Sequence, residues 1–117
     1  SYNAWSKAGE KSKYFDSYKV YVLECWNEYE KFYKIGRTFL KTNRRFRSNK
    51  LPYNYKVKHE FINDDPIYIC NLEKELKKLN QNNKYIPNRP FEGMYECFSN
   101  IEDLQGYITL CRDRQNR

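Results

Sequence analysis

Between Lys31 and His59 the chain carries ten Lys or Arg residues (Lys31, Lys34, Arg37, Lys41, Arg44, Arg45, Arg47, Lys50, Lys56 and Lys58). The same span holds no Asp or Glu, although the whole sequence has 15 acids. A block of one sign suits a polyanion, because lysines neutralise phosphates and guanidinium forks grip their oxygens in pairs. The formal net charge of +7 and a pI near 9.2 point the same way, toward nucleic acid. Hydrolysis of a phosphodiester would need more than binding. A divalent ion and cationic side chains must offset the charge that develops on the phosphoryl oxygens. Glu73, beside an apolar helical stripe and one turn from Ile69 and Leu76, carries a carboxylate of the hard-oxygen kind that Mg²⁺ prefers. Glu75 competes with it, and pattern alone does not separate the two.

The elements that must position these groups are legible in outline. Lys19–Cys25 is apolar on both faces, as expected of a covered central strand, and Lys31–Ile35 is its hairpin partner across a polar loop. Gly36 ends that second run where a Cβ would obstruct the chain. A short helix is predicted over Thr42–Asn49 with Thr42 as its cap. Asn54–Ile62 alternates, with Tyr55, Val57, His59 and Phe61 on one side and Lys56, Lys58 and Glu60 on the other, predicting a half-buried edge strand. Asp64-Asp65-Pro66 supplies a cap and a first-turn proline, so a helix is predicted from Pro66 to about Asn80 with Ile69, Leu72, Leu76 and Leu79 inward. Gly93–Phe98 reads as a last short strand. Ser99 and Glu102 have the spacing of a capping box for a final helix through Ile101, Leu104, Ile108 and Cys111. Residues 1–17 read as a linker or short helix that docks Trp5, Tyr14 and Phe15 onto a domain spanning 18–117, with no chemistry of its own.

A length of 117 residues suits one domain. Twelve tyrosines exclude a disordered basic tail. Four separated cysteines, Cys25, Cys70, Cys97 and Cys111, lack metal-ligand spacing and read as reduced thiols. No run approaches the ~18 apolar residues of a membrane span, and nothing at the start resembles a signal sequence, so a cytoplasmic protein without a membrane partner is expected. The chain opens at Ser1, which suggests a piece of a longer protein.

Val20-Tyr21 followed by Lys34-Ile35-Gly36 resembles the paired motifs that name the GIY-YIG nuclease superfamily, with Arg45 and then Glu73 in that family's order. The likeness covers about Lys19 to Phe98. It is nearest to the phage and viral, homing-endonuclease-like branch, where the second motif begins with Lys and Gly93-Met94-Tyr95-Glu96-Cys97-Phe98 has a counterpart. The resemblance implies an α+β fold, a small antiparallel sheet of about three strands flanked by helices. It also implies a metal-dependent DNA endonuclease domain using Mg²⁺ or Mn²⁺ and no small-molecule cofactor. By the same resemblance Tyr21, Lys34, Arg45 and Glu73 form the catalytic set, with Glu73 on the metal. Lys34 stands where the family usually has a second tyrosine, which leaves the water-activating group open between Tyr21 and Lys34. Lys34 could remove a proton only if its pKa fell from about 10. The family's late asparagine has no secure match; Asn88 is nearby, and Glu96 is a substitute.

Arg37, Lys41, Arg44, Arg47 and Lys50 are the expected DNA contacts, reading phosphate rather than base. The competing expectation is a nucleic-acid-binding module without catalysis, for which Lys34 and the unmatched asparagine argue. His59, alone of its kind, reads as a packed residue.

Overall fold

The computed structural model describes residues 2–102. Its centre is the hairpin of β1 (Lys19–Trp26) and β2 (Lys31–Thr38), paired antiparallel from Lys19 opposite Thr38 to Trp26 opposite Lys31. The Asn27 side chain closes the turn by accepting from the amides of Tyr29 and Glu30. β3 (Asn54–Ile62) pairs with the other edge of β1, and β4 (Cys97–Phe98) adds two residues to β2, giving the order β3-β1-β2-β4. Helices α1 (Tyr2–Lys11), α2 (Thr42–Arg45) and α3 (Pro66–Leu79) surround this sheet. The fold is the expected α+β type, with a short fourth strand added.

β1 is buried on both faces because each face meets a separate core. Val20 and Val22 pack with Ile35, Ile69, Leu72, Leu76 and Phe98 beneath α3. Tyr21, Leu23 and Cys25 pack on the opposite face with Phe32, Phe46, Leu51, Tyr53 and Cys97. α3 begins as predicted, with the Asp65 carboxylate accepting from the Ile67 amide and Pro66 in the first turn. Leu79 alone of the predicted stripe is exposed.

Three predicted elements are corrected. β3 does not keep one face inward: Val22 pairs with His59 but Leu23 pairs with Val57, leaving Lys58 as a bulge. One extra residue reverses the faces, so Tyr55 joins the Tyr21 side while Phe61 joins the Val20 side. Val57 and His59 between them are exposed, and the His59 ring stacks on Phe61 rather than entering the core. α2 is a single turn that ends at Arg45 with Phe46 as its C-cap, Ser48 and Asn49 take positive φ further on, and Thr42 does not cap it. The Thr42 hydroxyl instead donates to Glu60 on β3 at 2.9 Å. Gly93–Phe98 is mostly not strand: Gly93 is left-handed at φ 93°, Met94–Glu96 forms a 3₁₀ turn, and only Cys97–Phe98 pairs. The final helix predicted beyond Ile101 lies outside the described residues.

Candidate functional site

Tyr21 and Gly36 are register partners across β1 and β2, so their side-chain positions share one face. The tyrosine lies across the glycine: a Cβ on Gly36 would sit 2.3 Å from the Tyr21 hydroxyl oxygen and 2.5 Å from Cζ. Gly36 is therefore required by close approach, which the turn argument from sequence did not supply. Phe46, on the residue after α2, meets the Tyr21 ring edge-on at 5.3 Å. That contact and the Thr42–Glu60 hydrogen bond fix α2, and α2 fixes Arg45.

Lys34, two residues before Gly36, shares that face and is almost wholly buried. Its ammonium donates to the Tyr21 hydroxyl at 2.7 Å and to Glu96 Oε1 at 3.3 Å. Burial works against its charge, but the Tyr21 oxygen and the Glu96 carboxylate outweigh that, and the Lys34 pKa is raised from its ordinary value. Lys34 is thus held as a cation, which removes the condition under which it could accept a proton from water. Burial pushes the Tyr21 phenol up, although Lys34 opposes the shift. Burial would also raise Glu96, yet Lys34 and Lys77 overcome it and hold the carboxyl below its usual value.

Glu73 reaches the same place from α3. Its Oε1 accepts from Arg37 at 3.3 Å, and its Oε2 lies 3.2 Å from Lys77. Lys77 also pairs with Glu96 Oε2, completing a chain of contacts: Tyr21, Lys34, Glu96, Lys77, Glu73, Arg37. Tyr21, Arg37, Arg45, Glu73 and Glu96, together with Trp5, line one cleft of about 320 Å³. Arg45 makes no ion pair there among the described residues, and its guanidinium is left to the cleft beside the Phe46 ring.

The predicted set Tyr21, Lys34, Arg45 and Glu73 therefore converges. Of the two glutamates the sequence left open, Glu73 lines the cleft and Glu75 is exposed. The expected DNA contacts divide. Lys41, Arg47 and Lys50 are exposed; Arg44 stacks on Tyr14 at 3.5 Å from the ring centroid; Arg37 is inside the cleft wall. Asn88 is exposed, and its amide donates to Glu30, away from this cleft.

Sequence reasoning missed three participants. Trp5 comes from the segment expected to carry no chemistry; α1 docks it on Tyr18 and Phe39, and it stacks with the Arg37 guanidinium at 4.8 Å. Glu96 was only a substitute for an asparagine, and the 3₁₀ turn aims it inward. Lys77, four residues after Glu73, is the third. The i, i+4 spacing of Glu73 and Lys77 was a signal, but nothing local revealed the second carboxylate.

Mg²⁺ is commonly held by one or two carboxylates with waters and substrate phosphates completing its shell. Glu73 and Glu96 supply two such groups on one cleft, and the described residues contain no cluster of three or more His, Cys, Asp or Glu. The donor set fits a hard ion held through water and phosphate, and does not fit a closed zinc site. Among the described residues no helix is long and apolar enough to cross a membrane. Comparison with family models, with characterised proteins and with solved structures gives no match to this chain.

Proposed function

We propose that this chain is a metal-dependent DNA endonuclease domain of the GIY-YIG type, acting on the phosphodiester backbone. The observation that carries the reading is the convergence of Tyr21, Arg45 and Glu73, three residues singled out by motif order, on one cleft with Lys34 behind Tyr21. Arg45 and Arg37 grip the phosphate, Arg45 being free of any carboxylate partner among the described residues. Glu73, with Glu96 beside it, would hold a divalent ion that withdraws charge from the phosphoryl oxygens. Tyr21 accepts a hydrogen bond from Lys34, which leaves its own proton and a second lone pair to orient the attacking water. Lys34 stays charged and fixes the Tyr21 hydroxyl by its hydrogen bond, so the phenol's role is to orient the water rather than to take its proton.

The second reading, a binding module without catalysis, is favoured by one observation: every oxygen of Glu73 and Glu96 already faces a cation. Supercoiled plasmid incubated with Mg²⁺ or Mn²⁺ separates the two. Nicking that disappears with a chelator and with Glu73→Ala is expected. Binding without nicking under either ion leaves the second reading, and nicking that survives Glu73→Ala contradicts the first.

A further inference from the structure

Lys77 is the contact that the proposed chemistry does not use. Its ammonium spans Glu73 Oε2 and Glu96 Oε2, joining the two carboxylates that would hold a divalent ion. Four cations (Lys34, Arg37, Arg45 and Lys77) face two carboxylates (Glu73 and Glu96), an excess of two positive charges in and around the cleft. A dication approaching that site alone meets repulsion and must displace an ammonium; a phosphate meets attraction. The cations differ in freedom to move. Lys34 is enclosed, and Arg37 is clamped between the Trp5 ring and Glu73. Lys77 is partly exposed on the last turn of α3, at the end of a flexible four-carbon stem.

We propose that Lys77 is a gate on the Glu73–Glu96 pair: it fills the cation position between the two carboxylates and makes metal uptake conditional on nucleic acid. An arriving phosphate draws the ammonium off Glu73 and frees the Oε2 oxygen. The phosphate's charge also cancels part of the excess that repels a dication. The gate rests on the phosphodiester reading for its physiological trigger, but its effect on metal affinity is measurable without DNA.

The test is Mn²⁺ titration of the DNA-free protein, followed by electron paramagnetic resonance of the free ion. Wild type is expected to bind weakly, and Lys77→Met to bind about tenfold tighter or more, as removal of a charge in contact with the ligands implies. Lys77→Arg should stay near wild type. Lys78→Met loses the same formal charge from an exposed neighbour and should change little. The gain should vanish when Glu73→Gln is added to Lys77→Met. Equal affinity for wild type and Lys77→Met, or an equal gain from Lys78→Met, overturns the gate. DNA affinity is measured separately by fluorescence anisotropy. Its absence with the Mn²⁺ gain intact overturns the nuclease reading and the nucleic-acid trigger, and leaves Lys77 as the occupant of the cation position.

Discussion

Two carboxylate–cation clusters around the β1–β2 hairpin are built from the same ingredients and do different things. Near the turn, Glu24 gathers Lys31 at 2.9 Å, Lys56 at 3.4 Å and Lys58 at 3.8 Å. At the cleft, Glu73 and Glu96 gather Lys34, Arg37 and Lys77 at comparable distances. Burial separates them. The Lys56 side chain is 59% exposed and the Lys34 side chain 1%. In the first cluster the lysines lie in solvent and can leave at little cost; in the second Lys34 is enclosed, and its loss would strand the groups it holds. An acid-free run of cations in sequence thus contains two kinds of cation in space, and Glu24, from outside the run, already neutralises part of it.

Breaking one cation in each cluster sharpens that contrast most. Lys34→Met leaves the Tyr21 hydroxyl and one Glu96 oxygen without their buried partner and is expected to cost about 3–5 kcal/mol, measured by urea unfolding. Lys56→Met should stay within about 0.5 kcal/mol of wild type by the same measurement. A smaller loss, about 1–3 kcal/mol, is expected for Gly36→Ala, whose new methyl must push the Tyr21 ring aside. It should also lower any nicking more than it lowers DNA affinity, because it displaces Tyr21 and leaves Arg45 on its own turn.

The smallest effect concerns pH. The Glu96 carboxyl is held low by Lys34 and Lys77 against the opposing effect of burial, and Glu24 is held low chiefly by its hydrogen bond from Lys31. Each folded-state pKa lies below the unfolded value, so each pair contributes stability above pH 4.5 that is lost as pH falls through the folded value. Salt distinguishes them. In about 1 M salt, where the screening length is about 3 Å, the Glu24 contribution should largely vanish and that of Glu96 persist. Thermal unfolding of Glu24→Gln and Glu96→Gln between pH 3 and 7 at low and high salt checks this; equal salt sensitivity would erase the distinction between the clusters.

What was legible in the sequence was whatever neighbouring residues determine. The β1 run, the Asp65-Pro66 start of α3 and the inward Ile69, Leu72 and Leu76 follow from local pattern, and the motif order brought out Tyr21, Lys34, Arg45 and Glu73. The missed features are set by distant contacts. Glu96 meets Lys34 across 62 positions and is aimed by a left-handed Gly93 and a 3₁₀ turn, where a Cβ would come within 2.8 Å of Lys34 Cε. The β3 bulge depends on pairing with β1, so alternation alone misplaced His59 and Val57. Trp5 enters the cleft wall only because α1 folds back over Tyr18 and Phe39.

The most direct measurement pairs the two clusters in one activity assay: plasmid nicking with Mg²⁺ by wild type, Glu73→Gln and Glu24→Gln. Loss of about 10²–10³-fold or more is expected for Glu73→Gln, in the range of a lost charge-stabilising group, with Glu24→Gln close to wild type. Equal losses from the two variants, or full activity without the Glu73 carboxylate, would contradict the assignment of chemistry to the Glu73–Glu96 cleft.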